Sequence, residues 1–165
     1  MRPGIALIGH LIRLALYPLA GVWLVCCGVS AQSATTERIV TNRFSGVAIE
    51  GFDPVAYFVT GAAVQGTGEF EANLWGAVWR FRNEGNRASF LAHPEVYGPQ
   101  FGGYDPADIA RGVTVAGNPR FFVISAERLY LFSREDNRDA FAADPERFLY
   151  EDGKRWPGLL DQLGQ

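Results

Sequence analysis

Two stretches of the chain carry the same pattern of apolar and polar positions. Trp79–Tyr97 reads WRFRNEGNRASFLAHPEVY and Tyr130–Phe148 reads YLFSREDNRDAFAADPERF, each position of the second lying 51 beyond its counterpart. Eight of the 19 aligned positions are identical, among them Asn86/Asn137, Arg87/Arg138, Phe90/Phe141 and Pro94/Pro145. Unrelated stretches of that length would share about one, so the pattern is an internal repeat. Each copy predicts a strand and then a short helix. Val78–Phe81 and Leu129–Phe132 combine aromatic with β-branched or aliphatic residues, as in a strand with a buried face. Asn83 is placed to cap the first helix, and Ser133 the second with Asp136 at N3. Both helices should end near Ala92 and Ala143, because a residue before proline is pushed out of the α region. Phe90 and Tyr97, like Phe141 and Phe148, are spaced so that both aromatics of a copy can face one core. Glu84–Arg87 and Glu135–Arg138 stand at i,i+3 in the favourable order and read as helix support.

The repeat begins before these helices. Gly51-Phe-Asp-Pro returns as Gly103-Tyr-Asp-Pro, at an offset of 52, so one residue is lost between the two signatures. Asp followed by Pro predicts the start of a helical turn, with Asp53 and Asp105 as caps and proline in the first turn. Val55–Phe58 and Ala107–Ala110 are those short helices. Phe70–Trp75 and Phe121–Ile124 predict further strands, and Gly98–Tyr104 a tight connection whose Gly102-Gly103 suits positive φ or a close backbone approach. Trp156 in the tail is expected to dock on the core. The fold predicted is α+β: a single small domain over residues 44–160, made of two repeated strand–helix units (about 51–97 and 103–148) sharing one core.

Composition narrows the class. The 165 residues are 48% hydrophobic and 20% charged, an ordinary globular profile with room for one domain. The N-terminus predicts a secretory leader over residues 1–31: Arg2 and Arg13, an apolar run from Leu14 to Cys27, and small residues ending at Ala31. Residues 32–43 then read as a flexible lead-in. The protein is thus expected to be exported, periplasmic, with no membrane span once the leader is removed. The alternatives are an anchor retained through an uncleaved leader, or a lipoprotein at Cys26/Cys27. Without Arg2 and Arg13 the chain has 13 basic and 18 acidic residues, net −5, and no basic stripe, which argues against nucleic acid. Both cysteines lie in the leader, so the mature domain would have no disulfide, thiolate nucleophile or Cys ligand.

Few residues remain for chemistry. His93 is the one histidine after the leader, and its counterpart in the repeat is Asp144. A His at a helix C-terminus is accounted for by the dipole, and as a ligand it would need carboxylates beside it. Asp53, Asp105 and Asp108 are candidate oxygen ligands for a hard cation, in competition with their role as caps. Trp75, Tyr57, Tyr97, Phe101 and Tyr104 cluster around the glycine turns. A pocket lined by some of them, with the hydroxyls of Tyr57, Tyr97 and Tyr104 as polar handles, is the alternative small-ligand site. No Ser–His–Asp order, phosphate loop or HExxH sequence supports catalysis.

The run Gly51-Phe-Asp-Pro-Val-Ala-Tyr-Phe, with Trp79-Arg-Phe, Asn86…Phe90…His93-Pro-Glu…Tyr97, Gly98-Pro-Gln-Phe-Gly-Gly-Tyr104, Leu129-Tyr-Leu and Trp156-Pro157, resembles the YHS domain proteins, in particular their secreted bacterial subfamily. The resemblance implies a small α+β domain and suggests metal binding, since YHS domains accompany metal-transporting ATPases and multicomponent oxygenases. Two positions depart from the pattern: Ala56 and Asp105 stand where the family commonly has cysteine. Copper or zinc thiolate binding is therefore not carried over, and the cofactor stays unknown. The expected function is an exported binding or accessory module for a small ligand, a metal or a partner protein, without catalysis of its own. A purely structural or interaction protein with no ligand, and an enzyme of unknown class, are the alternatives.

Overall fold

The computed structural model describes residues 38–163. The expected leader, with Cys26 and Cys27, and most of the expected lead-in lie outside the described residues. Within them the fold is mixed α and β, with two small antiparallel sheets and six helices in one compact domain. In chain order the elements are α1 (Ala56–Thr60), β1 (Thr67–Leu74), β2 (Ala77–Phe81), α2 (Glu84–Ala92), α3 (Pro94–Tyr97), α4 (Pro106–Ile109), β3 (Asn118–Ser125), β4 (Arg128–Phe132), α5 (Glu135–Ala143) and α6 (Pro145–Gln162). Short 3-10 turns at Ile49–Gly51 and Gln100–Gly103 precede α1 and α4. No helix among the described residues is long and apolar enough to cross a membrane.

Each sheet is one hairpin. β1 pairs with β2 from Thr67↔Phe81 to Leu74↔Ala77, with a bulge between Thr67 and Glu71. β3 pairs with β4 from Asn118↔Phe132 to Ser125↔Arg128, with a bulge between Asn118 and Phe122. A single parallel bridge extends each hairpin, Val47↔Val78 in one and Pro99↔Leu129 in the other. Gly66 and Gly117 hold matching positions beside these hairpins. A Cβ at Gly66 would come within 2.5 Å of the Arg80 backbone, and one at Gly117 within 2.6 Å of Leu131 Cβ. Glycine is required at both because the chains pass too close for any side chain.

The buried side chains form three groups, not one continuous core. The first joins Trp79, Phe81 and Phe90 to Tyr57, Ile49 and Val55, and also takes in Leu129 and Leu131. The second holds Tyr130, Phe132, Phe141 and Phe148, and the third Val40, Tyr104, Ile109 and Leu163. β4 is the reason for the division and also the joint between groups. Successive side chains leave a strand on opposite faces, so Leu129 and Leu131 enter the first group while Tyr130 and Phe132 enter the second. Both faces of β4 are covered from Leu129 onwards, which is why Leu129–Phe132 is apolar without alternating. The same division separates the paired aromatics: Phe148 is buried in the second group, whereas Tyr97 is half-buried at the margin of the first.

Two helix starts differ from expectation: the N-cap of α1 is Val55 and not Asp53, and that of α5 is Arg134 and not Ser133. Asn83 caps α2, its Oδ1 accepting from Asn86 N at 2.8 Å. α5 begins one residue later than expected: Arg134 is its N-cap, without a side-chain bond, and Ser133 turns away from the helix. The hydroxyl of Ser133 is drawn to the carboxylates of Asp105 and Asp108, at 2.7 and 3.1 Å. A charged acceptor outbids a neutral backbone amide. The tail is longer than a docked Trp requires. α6 runs through Pro157 to Gln162, and Trp156 packs its ring 5.4 Å from Phe101 and 6.1 Å from Tyr104.

Candidate functional site

The two Asp-Pro turns are built alike. Asp53 is fully buried and its carboxylate accepts four bonds: Oδ1 from the amides of Val55 and Ala56 at 2.9 and 3.3 Å, Oδ2 from Arg82 N at 2.9 Å and Asn86 Nδ2 at 2.6 Å. Asp105, equally buried, accepts from Ala107 N at 2.8 Å on Oδ1, and from Ser133 N, Ser133 Oγ and Asn137 Nδ2 on Oδ2 at 2.7, 2.7 and 2.6 Å. One oxygen of each caps a turn while the other ties that turn to the junction between strand and helix. Asp105 is the N-cap of α4, with Pro106 in its first turn, as expected. Asp53 sits farther from its helix, since α1 begins only at Ala56.

These bonds engage the carboxylates considered for a cation. Asp108 lies beside Asp105, bonded to Ser133, Asn137 and Arg111, while Asp53 is held in its own half by Arg82 and Asn86. His93 ends α2 on the exposed surface, its Nδ1 3.7 Å from Glu95. The structure thus joins Asp105 to Asp108 and brings neither Asp53 nor His93 to them. Among the described residues no group of three or more His, Cys, Asp or Glu side chains is arranged to hold a metal ion.

The three tyrosines are also kept apart. Tyr57 and Tyr104 are fully buried, and Tyr97 meets Phe58 edge-on at 5.3 Å. The Tyr57 hydroxyl donates to Pro119 O at 2.8 Å, linking α1 to β3, and burial together with Asp53 and Glu50 pushes its ionisation well above the ordinary phenol range. It therefore stays a donor at any physiological pH. Tyr57→Phe is expected to lose about 1 kcal/mol of stability, measured by urea unfolding, as the Pro119 carbonyl is left without its partner.

An open groove lies elsewhere, among other aromatics. A space of about 530 Å³ is bounded by Trp75, Pro99, Gln100, Phe101 and Gly102, by Arg38 and Ile39 where the described chain begins, and by Trp156 and Leu160 of α6. Three local features shape it. Trp75 occupies the β1–β2 turn at φ 55°, a left-handed conformation unusual for a bulky side chain, and is 48% exposed. Its ring leans on Trp79 and Phe90, both 6.1 Å away, and passes over Gly98, where a Cβ would stand 2.8 Å from it. The Phe101–Gly102 turn, at φ 54° and 65°, brings the chain under Arg38: Val40 N bonds to Gly102 O at 2.8 Å, and a Cβ at Gly102 would stand 2.0 Å from Arg38 O. α6 supplies the last wall, with Trp156 and Leu160 one turn apart. The result is a cleft with aromatic walls and a substantial polar share, to which Arg38 and Gln100 contribute, suited to a flat aromatic molecule carrying a polar or anionic group.

Trp75 and Phe101 stood among the candidate aromatics in the sequence, and Trp156 was expected to dock. Arg38 and Gln100 carried no signal, since nothing in an isolated polar residue says that a distant helix will cover it. The Asn86/Asn137 tie was legible in principle: both asparagines are identical across the repeat and follow an Asp-Pro in each half. No family model matches the chain, and neither a curated protein nor a solved structure matches it.

Proposed function

We propose that the chain is an exported, YHS-like binding module that holds a small, largely apolar ligand in the groove between Trp75 and Trp156, without catalysis of its own. The observation that carries this reading is Trp75. A half-exposed tryptophan occupies a left-handed turn position, whereas the matching turn of β3–β4 carries Ala126 at φ 47°. The left-handed backbone is common to both turns and belongs to the hairpin, so what sets the first turn apart is the half-exposed indole itself, an apolar face with an N–H at its edge. Apolar and aromatic walls with a few polar groups are the usual make-up of a small-molecule cleft. We also read the domain as a duplication of one strand–helix unit, supported by pairing registers 51 residues apart and by the matching Asp53 and Asp105 ties. On that reading the groove uses positions where the two copies diverge. Export is supported by the order of positive, apolar and small residues before position 32.

The test is a fluorescence titration of the protein with anilinonaphthalene sulfonate, a flat apolar probe bearing one anionic group. Saturable binding is expected, weakened about tenfold or more by Trp75→Ala and by Trp156→Ala, and less by Arg38→Gln. Binding indifferent to both tryptophans would overturn the groove as the site. An absence of saturable binding would favour a structural or interaction protein.

A further inference from the structure

The face of α6 that packs on the domain carries one residue that does not belong there. Asp152, Trp156, Leu159 and Leu163 follow at spacings of four, three and four, which places them on a single helical stripe. Trp156, Leu159 and Leu163 pack with Val40, Tyr104 and Ile109. Asp152 is fully buried on the same stripe, and neither of its oxygens has a hydrogen-bond partner among the described residues. Every other buried carboxylate is bonded: Asp53 and Asp105 four times each, Asp108 to Arg111, Ser133 and Asn137.

The groups around Asp152 give it no counter-charge. On the α4 side stand Asp105, Asp108 and Arg111, the guanidinium of Arg111 being taken by Asp108. β4 contributes Tyr130, a neutral phenol that burial, and Asp152 itself, hold away from ionisation. α5 contributes Asn137, already bonded to Asp105 and Asp108. On α6 itself, Glu151 adds a negative charge beside Asp152 and pairs with Lys154, Arg147 pairs with Asp144, and Arg155 reaches towards Gly112. A charged carboxylate in these surroundings is far less stable than a neutral acid.

We propose that Asp152 is a proton-controlled latch on α6: as the neutral acid it lets the helix seat and complete the groove with Trp156 and Leu160, and on losing its proton to solvent it releases that end of the helix. The part concerning the groove rests on the binding reading above; the release of α6 does not. Burial, followed by the negative charges of Asp105 and Glu151, pushes the Asp152 carboxyl from its ordinary value of 3.8 up to about 7. The sign follows from which state holds the proton. Between those two values the seated helix holds a proton that the released helix does not. The advantage of the seated form is therefore fully present in acid, is lost as pH rises to about 7, and is absent above it.

Hydrogen exchange of the full chain, read by mass spectrometry on peptides covering residues 150–163 and corrected for intrinsic rates, tests this directly. Protection in the wild type is expected to fall by about tenfold per pH unit between roughly pH 4 and pH 7, to level off above that, and to stay level throughout in Asp152→Asn. An equal decline in both proteins, or none in the wild type, would overturn the latch. Should Asp152→Asn not fold, a carbon-13 titration of the wild-type carboxyl decides instead: a midpoint near that of an ordinary aspartate refutes the proposal, and one near neutrality supports it. Probe affinity measured in parallel should follow protection in the wild type alone. If no probe binds at any pH while protection still changes, the groove reading has failed and the latch stands.

Discussion

Asp105→Ala is expected to cost on the order of 4 kcal/mol of unfolding free energy, a large loss for a single polar side chain. The carboxylate is fully buried and accepts four bonds, so its removal leaves the amides of Ala107 and Ser133 without their acceptor and the Ser133 hydroxyl and Asn137 amide with Asp108 alone. Two of these groups belong to the segment between β4 and α5, the third is a first-turn amide of α4 and the fourth lies in α5, so one carboxylate holds α4, the end of β4 and α5 in register. Asp105→Asn should recover only part of the loss, because its NH2 group faces donors where an acceptor is needed. Asp53→Ala should behave like Asp105→Ala, having the same four-bond arrangement to Val55, Ala56, Arg82 and Asn86. Chemical denaturation of the three variants checks this; a cost below about 1 kcal/mol for Asp105→Ala would mean that the tie is incidental.

Phe141→Ala and Phe90→Ala are each expected to cost roughly 3–5 kcal/mol, a large share of what a domain of this size holds in reserve. Both rings are fully buried, and their surroundings correspond. Phe141 lies 4.9 Å from Tyr130 and 5.2 Å from Phe132, and Phe90 lies 4.9 Å from Trp79 and 5.2 Å from Phe81. Phe141 also meets Phe148 at 5.9 Å, whereas Phe90 meets the partly exposed Trp75 at 6.1 Å. The Phe90 cavity can therefore close more easily, through movement of Trp75, and its cost should fall at the lower end of the range. Equal costs, or a greater loss for Phe90, would count against a mobile Trp75.

How much of this was legible in the sequence depends on whether local chemistry or distant packing decides each feature. The repeated strands and the helices α2 and α5 were legible, because apolar spacing and the proline rule are local: α2 and α5 end at Ala92 and Ala143, each two residues before a proline; α3 and the long α6 that those prolines open were not foreseen. The Asp-Pro turns were legible as caps for the same reason. The second oxygen of each aspartate was not, since it reaches 29 or 28 residues along the chain to Arg82 or Ser133. Ser133 was misread as a cap because local propensity cannot register a buried carboxylate arriving from another element. The division of the core into three groups was hidden in one strand, where Leu129-Tyr-Leu-Phe shows apolar residues without saying that its two faces meet different partners. Two of the tyrosines offered as polar handles are buried and engaged elsewhere for a related reason. Tyr57 has its hydroxyl claimed by Pro119 and Tyr104 has no exposure, so the cleft draws its polar groups from Arg38 and Gln100 instead.

A two-dimensional amide and indole NMR titration of the nitrogen-15-labelled protein with the same naphthalene sulfonate probe, at a pH of about 4 where α6 is seated, tests the binding site most directly. The expected result is a saturating shift of the Trp75 and Trp156 indole signals and of the Gln100, Phe101 and Gly102 amides, while the Asn86 and Asn137 side chains stay in place. Shifts centred instead on the second hollow, between Ala107, Ala140 and Phe148, or scattered over the surface without saturation, would contradict the groove as the functional site.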